Sequence, residues 1–205
     1  MTDQVKVAVI YYSSSGNVHG MAERVAAAAE KAGAEVRLRQ VAELAPDEAI
    51  ASNAAWKQHH DATMDEPKAV PADVEWADAV VFGTPTRYGN VASQLKQFID
   101  TLGPLWVQGK LADKVYSGFT SAMTRHGGHE STLLALYQTI HHFGGIVASP
   151  GYTDELKFAD GNPYGVSHVS GPRNDAEYDD EVLAALDHLA ERAVSVAARM
   201  RSEAA

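Results

Sequence analysis

The sequence predicts an α/β protein built on a doubly wound, five-stranded parallel sheet with helices on both faces. Two observations predict this. Runs such as Val7–Tyr12 and Ala79–Gly83 are apolar without alternation, as in strands covered on both sides. Segments with apolar residues three and four apart follow them, and the two kinds alternate along the chain. Five strands in 205 residues fit the order 2-1-3-4-5 better than a six-stranded dinucleotide fold.

The elements follow in order. Lys6–Tyr12 is the first strand, and the polar loop Ser13-Ser14-Ser15-Gly16-Asn17 leaves it. Val18, Met21, Ala22, Val25, Ala26 and Ala29 then draw one helical face, which Gly33 ends. Glu35–Gln40 alternates charge with Val36 and Leu38 and belongs near the sheet edge. Residues 42–76 contain Pro46, Pro67 and Pro71, with eight acidic and two basic residues between Asp47 and Asp78. They read as a surface excursion with one short helix. Ala79–Gly83 is a buried strand entering the loop Thr84–Asn90, and the next helix turns Val91, Leu95, Phe98, Ile99 and Leu102 inward. Val115–Thr120 is the fourth strand, followed by the loop Ser121–Gly128. Leu133, Leu136, Tyr137 and Ile140 mark another helix, and Gly145–Ala148 a short fifth strand. Pro150–Arg173 reads as a long Gly- and Pro-rich loop, of the kind that serves function or an interface. The last helix spans about Glu177–Ser202, with Val182, Leu186, Leu189, Ala193, Ala197 and Met200 inward and acids at its start that suit the helix dipole. The strand order is flavodoxin-like, and one domain over residues 1–205 is expected.

Composition excludes several chemistries. Seventeen Lys and Arg against 27 Asp and Glu give a net charge of −10, with no basic stripe for nucleic acid. The absence of Cys removes disulfides, thiolate nucleophiles, iron–sulfur clusters and Cys-based zinc sites, and fits a reducing cytoplasm. Val7–Tyr12 is too short for a membrane span and lacks a cleavage pattern, so neither a span nor a signal peptide is expected. The nine His show no H-E-x-x-H spacing, no metal site is expected, and His59-His60 are expected to be solvated.

In such sheets ligands bind outside the carboxyl ends of the strands. Three loops leave those ends. The first offers three hydroxyls, Gly16 and Asn17 at a helix start, where free N–H groups and the dipole favour an anion. It has neither the Lys of a nucleotide-triphosphate loop nor G-x-G-x-x-G, and so suits one terminal monophosphate, although a Ser-rich helix cap would look alike. The second combines Pro85, Arg87, Tyr88 and Gly89: Tyr88 can cover a flat ring and Arg87 can pair with an anion, while an ordinary turn remains open. The third, Ser121–Gly128, offers small residues and spare N–H groups to a ring edge. Together they describe a monophosphate joined to a planar, hydrogen-bonding ring, the shape of FMN.

These loops, with Leu105-Trp106, His126-Gly127-Gly128-His129-Glu130, His141-His142 and Asn162-Pro163-Tyr164-Gly165 in the same order, resemble the WrbA-type flavoproteins, NAD(P)H:quinone oxidoreductases of the flavodoxin-like fold. The likeness covers almost the whole chain, and Gly83–Asn90 is its most specific part. It implies FMN as cofactor, NADH or NADPH as donor, two-electron quinone reduction and a homotetramer. It places Ser13, Ser15, Gly16, Asn17 and Val18 in the phosphate loop, with Asn17 standing where some members carry His. Pro85, Thr86, Arg87, Tyr88, Gly89 and Asn90 fall in the isoalloxazine loop, and Ser121, Ala122, Thr124, Gly127 and Gly128 in the third. His142 matches a His beside the flavin that could pass a proton to the quinone; packing is its plainer role. Trp106, with Tyr88, falls at the substrate mouth.

With no second nucleotide motif, donor and quinone are expected to use one site in turn. A flavodoxin-type electron carrier competes, although the two long excursions exceed what a carrier needs. So does a non-catalytic flavin-binding regulatory protein. Hydrolysis is disfavoured by the missing G-x-S-x-G.

Overall fold

The computed structural model describes residues 4–203, with the side chains of residues 202 and 203 left aside. Strand β1 (Lys6–Tyr11) lies inside the sheet because it has no polar face: Val7, Val9 and Tyr11 enter one apolar layer, and Ala8 and Ile10 the other. It pairs in parallel with β2 (Glu35–Gln40) and β3 (Ala79–Pro85). Strand β4 (Val115–Ala122) runs parallel to β3, and β5 (Ile146–Val147) completes the expected order β2-β1-β3-β4-β5.

Helices α1 (Asn17–Lys31) and α9 (Asp180–Glu203) cover one face of the sheet. The other is covered by α4 (Pro71–Trp76), α5 (Ser93–Asp100), α6 (Gly103–Val107) and α7 (His129–Phe143). Gly83 faces Phe119 across the β3–β4 ladder, and a Cβ there would stand 2.4 Å from the Phe119 ring. That close approach lets a full aromatic ring fill the layer under α1 and α9.

Several elements differ from expectation. The segment 150–173 is not one loop: it contains α8 (Lys157–Asp160) and a sixth strand, β6 (Val166–Val169). Strand β5 pairs with Val115 and Tyr116, and β6 with Phe119–Ala122 on the same strand, so two separated segments fill the fifth sheet position. Four residues give too short a pattern for recognition, and their partner supplies the missing hydrogen bonds. The excursion at 42–76 folds into α2 (Asp47–Ala51), α3 (Ala54–Thr63) and α4, rather than one helix. It is anchored to β2, where Gln40 N–H donates to Pro67 O at 3.1 Å and Gln40 Nε2 to Thr63 Oγ1 at 3.0 Å. The last helix begins at Asp180, and Met200 is only half-buried. No described helix is long and apolar enough to cross a membrane.

Candidate active site

Because β1, β3 and β4 are parallel neighbours, the loops that leave them meet at one edge. Tyr12 N–H still donates to Gly83 O at 3.0 Å, after which the chain turns away. Buried Ser13 accepts the Gly16 N–H through Oγ at 3.1 Å. Gly16 has φ +99°, a left-handed conformation that glycine adopts at little cost, and Asn17 begins α1. No side chain caps α1 and no acid occupies its first turn. Its orphan N–H groups and dipole make a place suited to an anion, at the end of the cleft that Ser14 and Ser15 also line. This donor set fits a phosphate monoester.

The second loop is a tight turn closed by Arg87 N–H to Asn90 O (2.8 Å) and Asn90 N–H to Arg87 O (3.0 Å). Tyr88 (φ +52°) and Gly89 (φ +76°) form its tip. A left-handed tyrosine costs roughly 1–2 kcal/mol, and here it leaves the ring wholly in solvent, free to lie over a planar ligand. Thr86 N–H donates to Ser121 O at 2.9 Å, which binds the second loop to the third. A Cβ on Gly128 (φ +94°) would stand 2.9 Å from Gly89 Cα, and one on Gly127 would stand 2.7 Å from Ala122 Cβ. Gly128 thus lets the two loops seat closely, and Gly127 lets the third loop close on itself.

The loops enclose a cleft of about 680 Å³, within the range of small-ligand sites. Ser13, Ser15, Asn17 and Val18 line it from the first loop, and Pro85, Thr86, Arg87 and Tyr88 from the second. Ser121, Ala122, Thr124 and Gly127 line it from the third. Gly16, Gly89, Asn90 and Gly128 shape the loops from behind.

Trp106 and His142 are not brought to this cleft. Trp106 Nε1 donates to His142 O at 2.8 Å near the C-terminal end of α7, and both residues are exposed. The cleft lies at the other end of that helix, which at 1.5 Å per residue is about 20 Å long.

Sequence reasoning missed other lining residues. Asn53, Ala55 and Trp56 reach the cleft from the excursion, and Pro172, Arg173 and Asn174 from the chain before α9. Asn174 Nδ2 donates to Ser15 Oγ, Asn17 Nδ2 donates to Asn174 O at 3.1 Å, and Tyr178 donates through its hydroxyl to Asn17 O at 2.6 Å. The Gly- and Pro-rich composition of 150–173 was the available signal. Trp56 had none. It is held by Glu43, which accepts Trp56 Nε1 at 3.0 Å, the Tyr12 hydroxyl at 2.8 Å and Gln94 Nε2 at 2.7 Å. Burial pulls the Glu43 carboxyl upward, but backbone and side-chain donors hold it below the usual carboxylate range.

The expectation of a solvated His59-His60 pair fails at His59. A Cβ on Gly16 would stand 3.7 Å from His59 Nδ1, and the ring lies 5.2 Å from that of His19, which stacks on Tyr11. His59 Nε2 is buried without a hydrogen-bond partner among the described residues. Burial, then the neighbouring His19, lowers its pKa to about 4. Helix α3 folds back under the first loop, and the local sequence does not reveal that return.

Sheet order and three-loop cleft together define a flavodoxin-fold protein whose cleft carries the donors that a phosphate-bearing planar ligand would need. The model of the NADPH-dependent FMN reductase family matches residues 5–154, and the chain belongs to that family. It is 47% identical over 201 residues to an NAD(P)H dehydrogenase (quinone) of Deinococcus radiodurans, covering 98% of this chain and 99% of that protein. A protein of the same name from Sinorhizobium fredii is 44% identical over 173 residues, covering 81% of this chain and 83% of the relative. Among solved structures, a WrbA-like flavodoxin from Agrobacterium tumefaciens superposes with a TM-score of 0.64 at 26% identity, covering 96% of this chain and 99% of that one.

Proposed function

We propose that this chain is an FMN-dependent NAD(P)H:quinone oxidoreductase that converts quinones to hydroquinones by two-electron transfer. The observation that carries this is an uncapped α1 N-terminus, opening with two further loops on one cleft, in a chain so similar to quinone dehydrogenases. FMN, when bound, would supply the two-electron chemistry between nicotinamide and quinone.

The protein's part is placement. The α1 amides with Ser13, Ser15 and Asn17 would hold the terminal phosphate of FMN. Pro85, Thr86, Arg87 and Tyr88 with Ser121, Ala122, Thr124 and Gly127 would hold its ring, leaving one face open at the mouth where Tyr88 stands. Donor and quinone occupy the same exposed place in turn. Trp106 and His142 stand too far from their own cleft to serve it. In this reading they complete the mouth of a neighbouring copy in a homotetramer, where His142 offers a proton or hydrogen bond to the quinone. The cytoplasm is the proposed compartment, supported by the absence of Cys.

The purified protein should be yellow and should oxidise NAD(P)H with benzoquinone unaided. An electron carrier would require a partner reductase, and colourless protein that takes up no FMN overturns the proposal. Initial rates at varied quinone should give parallel lines; intersecting lines refute a shared place.

A further inference from the structure

A second hollow, of about 600 Å³, opens beside the cleft and shares Trp56, Arg87 and Tyr88 with it. Aromatic rings form part of its wall. Trp56 and Tyr12 are both fixed through Glu43, and Tyr88 stands free at the junction of the two spaces.

Its charge runs against that of the molecule. In a chain of net charge −10, the charged side chains lining this hollow are Arg87 and Lys96, while the nearby Glu43 does not line it and has its oxygens taken by the Tyr12, Trp56 and Gln94 donors. Lys96 pairs with Asp100 at 2.5 Å, but both side chains are more than half exposed, at 51% and 63%, so that pair holds the lysine weakly. Ser93 and Gln94, the first residues of α5, also line the hollow. No side chain caps this helix and its first turn carries no acid. Ala92, just before it, donates its N–H to Thr84 Oγ1 at 3.0 Å, which fixes the direction of the helix start. Orphan amides, helix dipole and two cations therefore converge beside flat apolar surfaces. An adenine needs a ring to stack on, and phosphates need such donors.

We propose that this hollow takes the adenosine phosphate end of the nicotinamide dinucleotide while the nicotinamide lies in the shared cleft. Trp56 and Tyr88 offer the stacking surface, and Lys96, Arg87 and the α5 N-terminus receive the phosphates. The assignment rests on the oxidoreductase reading above and adds where the donor's non-reacting half is held. A quinone's prenyl tail is the competing occupant, but it has no use for the cations.

The test titrates FMN-loaded protein with adenosine 2′,5′-bisphosphate by calorimetry and uses the same compound as an inhibitor. Expected are one site per chain, an unchanged flavin absorption band and competition against NADPH. Lys96→Ala should weaken binding of the compound and raise the KM for NADPH, each about tenfold, with a much smaller effect on dihydronicotinamide riboside, a donor without phosphates. The assignment is overturned if the compound fails to bind, displaces FMN or binds Lys96→Ala equally well. Competition against a long-chain prenylated quinone but not against NADPH would also overturn it. Failure of the oxidoreductase reading would look different: wild-type protein inert toward NADPH and benzoquinone alike.

Discussion

Arg87 Nη2 donates to Ser14 Oγ at 3.2 Å, tying the second loop to the first across the mouth of the cleft. The bond joins the proposed ring site to the proposed phosphate site. Arg87→Ala should raise the FMN dissociation constant about tenfold, the scale of one charge-assisted hydrogen bond, with little change in melting temperature because the residue is exposed. Fluorescence quenching of FMN on titration measures the first quantity. Full affinity and full quinone turnover in Arg87→Ala would remove Arg87 from the site.

Gly128→Ala should strain the seam between the second and third loops. The new methyl would press on Gly89 Cα at 2.9 Å in a left-handed backbone. The backbone alone costs roughly 1–2 kcal/mol, and FMN affinity should fall as the loops separate. Urea unfolding and FMN titration read the two effects, and an unaltered variant would show that the seam adapts freely.

Acid should weaken the fold through His59. Its folded pKa of about 4 lies below the unfolded value of about 6.5. The unfolded chain therefore binds the proton first. The stability contributed is complete above about pH 6.5 and is lost as the pH falls toward about 4. Burial lowers His129 and His168 as well, so they act in the same direction. Denaturation curves across this window should show a shallower pH dependence for His59→Gln than for wild type. Equal slopes would mean that His59 is charged in the folded protein.

Lys157 and Asp160 form an ion pair at 2.5 Å with side chains 0% and 1% exposed, and Lys157 Nζ also donates to Gly165 O at 3.0 Å. Lys157→Met should cost about 3–5 kcal/mol, because it leaves a buried carboxylate unpaired. Replacing both partners with apolar residues should cost less than the single change. Thermal unfolding of the three proteins decides; a double variant less stable than Lys157→Met would contradict this account.

If His142 acts on a neighbouring copy, two defective variants should rescue each other. His142→Ala alone should lower quinone turnover about 100-fold, the lower end of the usual range for a lost proton donor. Mixed oligomers of His142→Ala with a variant unable to bind FMN should regain part of the activity, since some clefts would then hold FMN beside an intact His142. No recovery in verified mixed oligomers would confine the residue to its own chain.

Much of the fold was legible because it is written locally. Val7–Tyr12 and Ala79–Gly83 carry no polar face, so each had to be covered twice. Apolar spacing from Val18 to Ala29 had to form a helix. Once the strands are parallel, geometry gathers the carboxyl ends of β1, β3 and β4, which is why the three loops could be expected to meet. Strand β6 was not legible, because four residues acquire a strand's identity only from pairing with Phe119–Ala122.

By itself, the sequence determined five strands of the sheet, their order and the loops that bear the donors, since these follow from the period of apolar residues and from glycine's freedom of backbone. Tertiary structure alone decided which distant residues join them. Trp56 enters the site because Glu43 binds residues 12, 56 and 94 together, and Asn174 because it meets Ser15 across 159 residues of chain. Trp106 and His142 are turned away because a helix puts its two ends far apart. A hydrogen-bond network among remote residues has no sequence period; it exists only once burial has removed water as the alternative partner.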